Sequence, residues 1–249
     1  MKMNKRVAAA AIWALLICAA FAQDAVPDEI LQRTFAIQFG NEGGTAFSID
    51  YQGKLYLVTA RHVVEGLPES NATIQILRPD GWKDYHIVKA LSPPSNDADI
   101  MVLETDEKIS QPYVVAVSGK DEGATMGQQV WFLGYPFRER LRSRFRNNRE
   151  APFIKRGIMS AMDASNPEAV VMYIDGFNNA GFSGGPIVYW DFGKHAYRIL
   201  GVVMGYKDDT AKVLVNGVHV DTQLLVNSGI LVGYSIDHAI QAIEKAKKH

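Results

Sequence analysis

The sequence predicts an all-β protein of two domains closed by one helix, on three observations. Short runs rich in β-branched and aromatic residues recur along most of the chain, separated by turn residues. A polar stretch at 119–128 divides these runs into two sets. Past residue 236 the apolar spacing changes from that of a strand to that of a helix. Many short strands with regular turn signals build sandwiches or barrels, and either suits each set.

The first set is TFAIQFG, TAFSIDY, KLYLVTA, TIQILRP, DYHIVKA, DIMVLET and YVVAVSG. Between the second and third runs, YQGK (51–54) reads as a hairpin turn. The second set is QQVWFLGY, FIKRGIMSAM, AVVMYIDG, GPIVYW, YRILGVVMG and ILVGYSI. In the last segment Ile236, Ile240 and Ile243 share a helical face, lysines crowd the final turn, and Asp237 stands where an N-cap is expected. The expected organisation is therefore residues 25–118 and 129–236 as two β domains and 237–249 as a C-terminal helix.

The first 22 residues differ from the rest. Lys2, Lys5 and Arg6 precede the apolar run VAAAAIWALLICAAFA, which ends in the A-x-A pattern Ala20-Phe21-Ala22. That run is short for a membrane span, so residues 1–22 are expected to be a cleaved signal peptide, with an uncut N-terminal anchor as the rival. Ile17 before Cys18 is bulkier than a lipoprotein site prefers. Cys18 is the only cysteine, and an exported chain without disulfides suits a bacterial periplasm or the medium. Without its leader the chain would carry 23 basic against 27 acidic residues, a net charge of −4. That balance gives no reason to expect nucleic acid as a partner. Once the leader is removed, no membrane association is expected.

The chemistry starts at AGFSGGPIV, residues 180–188. A serine between glycines and followed by proline is what a nucleophile needs beside bare backbone N–H groups. Ser183 then requires a base and a group to orient it. Of six histidines, His62 stands out, because it follows the apolar strand of YLVTARHVVEG, where the chain leaves the strand and starts a helical turn. His86, His195 and His219 sit in ordinary strand or turn contexts, His238 lies in the final helix and His249 is terminal. The acid is expected in SNDADIMVL. Asp99, directly before the apolar run, is the first choice and Asp97 the second.

LVTARHVV, DIMVL and GFSGGP, in the order His62, Asp99, Ser183, resemble the three active-site segments of chymotrypsin-fold serine proteases. The likeness is nearest to the bacterial trypsin-like and HtrA branch, and VWFLGYP, RGIMSAM and GVVMGY are similar to that branch's second barrel. The order also differs from that of subtilisins and α/β-hydrolases. The resemblance spans roughly residues 35–245. It implies two antiparallel β-barrels of the chymotrypsin type and an exported endopeptidase acting on peptides or proteins through an acyl-enzyme. It also implies His62 as base, Asp99 as its orienting carboxylate, Ser183 as nucleophile, and the N–H groups of Gly181 and Ser183 as oxyanion donors. In this fold the primary pocket is walled by 175–181 and 201–206, which points to Asp175, Phe177, Met204 and Gly205. Asp175 would favour a basic side chain, Phe177 and Met204 an apolar one, and the apolar reading is preferred.

Two departures matter. Phe182 stands where pancreatic relatives carry the aspartate that receives a new N-terminus after zymogen cleavage, so activity without that switch is expected. Only 13 residues follow Ile236, so the PDZ domain usual in HtrA proteases is not expected. RERLRSRFRNNR, Arg138–Arg149, holds six arginines and one glutamate. It reads either as a solvated loop or as a site for an anionic partner. No His-x-x-x-His pair or thiol cluster suggests a metal, and this triad needs no cofactor. Two other functions fit the same residues: a catalytically silent peptide-binding module, and an ester or amide hydrolase acting on something other than protein.

Overall fold

The structure, a computed structural model, describes residues 25–107, 109, 123–136, 142–143 and 149–248. The leader 1–22 with Cys18, the run 113–119, most of the arginine-rich segment and His249 lie outside these residues.

A short helix α1 (Asp28–Leu31), which the sequence reading did not anticipate, leads into the first barrel. Its strands are β1 (Thr34–Phe39), β2 (Glu42–Tyr51), β3 (Lys54–Thr59), β4 (Ser70–Arg78), β5 (Gly81–Leu91) and β6 (Met101–Glu104). They close in the order β1-β2-β3-β6-β5-β4, all neighbours antiparallel. β7 (Gln129–Gly134) opens the second half of the chain. It is followed by the two-residue strands β8 (Arg142–Ser143) and β9 (Arg149–Glu150), which pair with each other. The second barrel takes β7 together with β10 (Phe153–Asp163), β11 (Val171–Asp175), β12 (Pro186–Asp191), β13 (Ala196–Val215) and β14 (Val218–Ser235), closed as β10-β11-β14-β13-β12-β7. Helix α2 (Asp237–Lys247) ends the described chain.

Burial explains the strand patterns. β4 faces water outside the barrel, so Ala72, Ile74 and Ile76 point in and alternate with polar residues. β2, β3 and β6 are covered on both faces. Ala46, Leu57 and Leu103 fill the barrel interior, while Phe47, Ile49, Val58, Ile100 and Val102 pack outward against Trp131, Leu133, Val188 and Val202 of the second barrel. These strands therefore read as near-continuous apolar runs. Ile236 at the cap of α2, Ala239, Ala242 and Ile243 within it, and Ile30 of α1 join the same inter-barrel core. Truncating a fully buried member such as Phe47 would cost about 3–5 kcal/mol.

The YQGK turn is a two-residue hairpin with positive φ at Gln52 and Gly53, as the sequence suggested. Asp237 is not the cap of α2. Ile236 holds that place without a side-chain bond, and Asp237 is the first helical residue, its N–H donating to Ser235 Oγ. Its charge still suits the positive end of the helix. The larger surprise is the length of β13 and β14, which run on past the barrel as a two-stranded arm to a turn at Asn216-Gly217, both with positive φ.

Candidate active site

Pairing between β3 and β6 brings Thr59 opposite Met101, so the chain leaving β3 lies beside the chain entering β6. His62 sits in the 3₁₀ turn Arg61–Val64 directly after β3, and Asp99 lies directly before β6. His62 Nδ1 stands 2.5 Å from Asp99 Oδ2, and the other oxygen, Oδ1, receives the His62 backbone N–H at 3.0 Å. The carboxylate thus holds the ring in the tautomer whose Nε2 is free to accept a proton. Hydrogen bonding and charge from Asp99 raise the imidazole pKa against the opposing effect of burial, with Glu42 and Glu65 adding smaller attractions. Arg61, next to the base, ties down the acid's loop. Its guanidinium donates to Asn96 Oδ1, at 3.1 Å, and to the carbonyls of Asn96 and Ala98. Asp97 turns elsewhere and accepts from Asn166 Nδ2.

Ser183 comes from the loop between β11 and β12. Residues 179–182 form a type II turn: the Phe182 N–H donates to the Asn179 carbonyl, and Gly181, third in the turn, has φ +98°. Any Cβ at Gly181 would also meet the Tyr135 carbonyl at 2.4 Å. Gly184 (φ +83°) marks a close approach of the two barrels, since a Cβ there would lie 2.1 Å from the Thr45 carbonyl and 2.8 Å from the Ala60 nitrogen. The nucleophile loop and the chain entering the histidine turn therefore meet backbone to backbone, which brings together segments that carry residues 121 positions apart in sequence.

Thr45 of β2 fastens this junction. Its N–H donates to the Ser183 carbonyl (2.8 Å), its hydroxyl donates to the Gly181 carbonyl (2.7 Å), and that hydroxyl oxygen receives the Tyr135 N–H (3.0 Å). The sequence reading passed over Thr45, since one threonine in an alternating strand carries no local signal. The N–H groups of Gly181 and Ser183 have no acceptor among the described residues. The Ser183 hydroxyl donates to the Met204 carbonyl at 2.9 Å, and it shares no hydrogen bond with His62.

Met204 therefore adjoins Ser183 through its backbone, and Gly205 follows it on β13, opposite Val232. Asp175 ends β11, with its N–H on Ser160 Oγ and its side chain exposed. Phe177 is 56% exposed, under the ammonium of Lys155. Among the other histidines, His86 Nδ1 lies 3.4 Å from Asp106, His195 sits in a turn, and His219 lies on the arm. His238 is buried in α2, with Nε2 accepting the Val170 N–H. Among the described residues no His, Cys, Asp or Glu cluster could hold a metal, and no helix is long and apolar enough to cross a membrane.

The model of the trypsin-like peptidase domain matches residues 44–194, which is 151 of the 249 residues and includes His62, Asp99 and Ser183. The chain belongs to the trypsin-like peptidase family. Comparison with curated proteins finds no match. Among solved structures, the M. tuberculosis protease Rv3671c in its inactive form is 18% identical, with 87% of this chain and 89% of that chain covered at a TM-score of 0.53. A serine endoprotease from Yersinia pestis is 18% identical over 89% of this chain and 67% of its own, at 0.57. The HtrA-type protease AlgW, solved with a tripeptide, is 18% identical over 88% of this chain, at 0.56, and the chain spans only 61% of its length. These likenesses establish the two-barrel, chymotrypsin-like fold that the sequence motifs implied.

Proposed function

We propose that this protein is a serine endopeptidase in which Ser183, His62 and Asp99 act as nucleophile, base and orienting carboxylate. The observation that carries the reading is the two-bond grip of Asp99 on His62, beside a serine whose own N–H and that of Gly181 have no acceptor among the described residues. His62 Nε2 takes the hydroxyl proton as Ser183 Oγ attacks the substrate carbonyl. The Gly181 and Ser183 N–H groups receive the oxyanion, a stabilisation of about 3 kcal/mol per donor. His62 then protonates the leaving amine, and water, activated by the same ring, releases the acyl group. The hydroxyl starts on Met204, so it exchanges that carbonyl for His62 Nε2 before the attack. Such bonds are often open before substrate binds.

A peptide suits the cleft better than a small ester. β12 pairs with β13 only as far as Val202, and the loop 184–185 bonds Val203. Beyond that point no strand pairs with β13 on this side among the described residues, and only the Ser183 hydroxyl meets it, at the Met204 carbonyl, which leaves main-chain groups for an extended peptide. An apolar primary side chain beside Phe177 and Met204 belongs to the same proposal. So does export guided by residues 1–22, to a bacterial periplasm or the medium. The test is digestion of a peptide library by the wild type and by Ser183→Ala. Cleavage by the wild type alone is expected. Binding of peptides without cleavage would favour the silent module, and turnover of esters without peptides the alternative hydrolase.

A further inference from the structure

Segment 177–182, which carries the Gly181 N–H and leads into Ser183, lies outside the strands and is held from three sides. Thr45 fixes Gly181 from the first barrel. Asn227 Nδ2 donates to the Asn178 carbonyl at 2.7 Å from β14. The third hold is Lys155 of β10. Its ammonium donates to the Phe177 carbonyl at 2.8 Å and to Asn179 Oδ1, and lies 5.5 Å and 5.2 Å from the ring centroids of Phe177 and Phe182.

The position of Lys155 is itself fixed. It pairs across the sheet with Phe132, whose ring meets that of Phe182 edge to face at 5.5 Å, and Phe182 is wholly buried. No carboxylate among the described residues pairs with the ammonium. Carbonyl oxygens and aromatic faces satisfy the charge instead, and burial favours its neutral form against that hold. Asn179 and Phe182 are the first and last residues of the type II turn. Lys155 therefore touches both ends of a turn whose middle peptide, Ala180–Gly181, supplies an oxyanion donor. Types I and II differ by a half-rotation of that middle peptide. The rotated form would aim the Ala180 carbonyl, in place of the Gly181 N–H, at the developing negative charge.

We infer that Lys155 is a positioning residue that holds the 179–182 turn in the form that presents the Gly181 N–H. It does so by bonding Asn179 and Phe177 and by seating its charge on the ring of Phe182. The inference rests on the reading of Ser183 as nucleophile. It gives the buried aromatic before the serine a task, and it makes the oxyanion turn ready without cleavage of the chain.

The test compares the full chain with Lys155→Met, Lys155→Arg and Asn179→Ala. Each is assayed for kcat and KM on p-nitrophenyl acetate, for the rate of reaction with a fluorophosphonate probe, and for folding by circular dichroism. For Lys155→Met, a fall in kcat of about 100-fold with KM within about twofold is expected, the size seen when one oxyanion donor is lost. A parallel slowing of phosphonylation is expected as well. Lys155→Arg, which keeps the charge and the donors, should recover at least about tenfold of that loss. A merely structural lysine would give neither the split nor the rescue. Kinetics of Lys155→Met within about threefold of wild type would overturn the inference while leaving the nucleophile in place. Wild-type protein inert to both reagents would overturn the two together. If Lys155→Met fails to fold, Asn179→Ala decides: a fall in kcat of about tenfold at constant KM supports the clip, and no change removes it.

Discussion

The carboxylate of Asp99 grips His62 through both of its oxygens, with Oδ2 on the ring nitrogen at 2.5 Å and Oδ1 on the backbone N–H at 3.0 Å. The first bond sets tautomer and charge, and the second sets the position of the whole residue. Asp99 raises the affinity of the ring for a proton, so the base becomes available only above the ordinary histidine range of about 6.5. Asp99→Asn should lower kcat by about 10³–10⁴-fold. It should also move the acid limb of the kcat/KM profile to lower pH. A pH–rate series from 5 to 9 checks both, and an unmoved limb would show that Asp99 does not tune the base.

Gly184 is where the two halves of the site touch. Its φ of +83° strains any other residue, and a methyl group there would overlap the Thr45 carbonyl. Gly184→Ala should cost at least about 2 kcal/mol and lower Tm by at least about 5 °C. Thermal unfolding measures it. A variant as stable as the wild type would mean that the barrels can separate there at no cost.

Stability should fall on acidification because of His238, a residue outside the proposed triad. Its ring is 1% exposed, Nε2 accepts the Val170 N–H at 2.9 Å, and Nδ1 lies 3.3 Å from Gln241 Oε1. Burial lowers its pKa below the ordinary value, so the unfolded chain takes up the proton first. Its contribution is present above about pH 6.5 and fades as pH drops from there toward the folded-state pKa. His62, raised instead, works oppositely: its contribution is complete below that pH and is lost as pH rises through its folded pKa. Urea titrations of wild type and His238→Gln at pH 7 and pH 5 separate the two. The variant should lose less stability between those pH values, and equal losses would contradict the assignment.

Among the described residues the strands of the arm formed by the ends of β13 and β14 pair only with each other, from Asp208 opposite Asn227 to Val215 opposite Val218. Leu214, Val218 and Leu225 stand exposed along it. Replacing residues 209–226 by Asn-Gly keeps Asn227 on the Asn178 carbonyl. Tm should stay within about 3 °C, and reactivity of Ser183 should be unchanged. A collapse of either would show that the barrel needs the arm.

The candidate site residues could be picked out in the sequence because each sits in its own local motif. Ser183 lies among glycines, His62 follows a strand, and Asp99 precedes one. What holds them together was not legible. Thr45, Arg61, Lys155 and Asn179 act through contacts set by barrel closure, and their flanking sequences do not mark them. Asp99 was preferred to Asp97 because it directly precedes the apolar run, and in the structure Asp99 bonds His62 while Asp97 accepts from Asn166. The arm could have been found. Asn216-Gly217 between KVLV and VHV is a strong hairpin signal, but the polar residues at its base hid the strands. Asp237 was misplaced by one residue, because a helix start signal does not fix which residue turns first.

The most direct test is the mass of the intact chain after reaction with a fluorophosphonate, beside Ser183→Ala and His62→Ala. The account predicts one adduct per wild-type chain, located on Ser183 by peptide mapping, and none at comparable rates in either variant. A folded wild-type protein that takes up no adduct, or takes it up equally without His62, would contradict the claim that this cleft activates a serine.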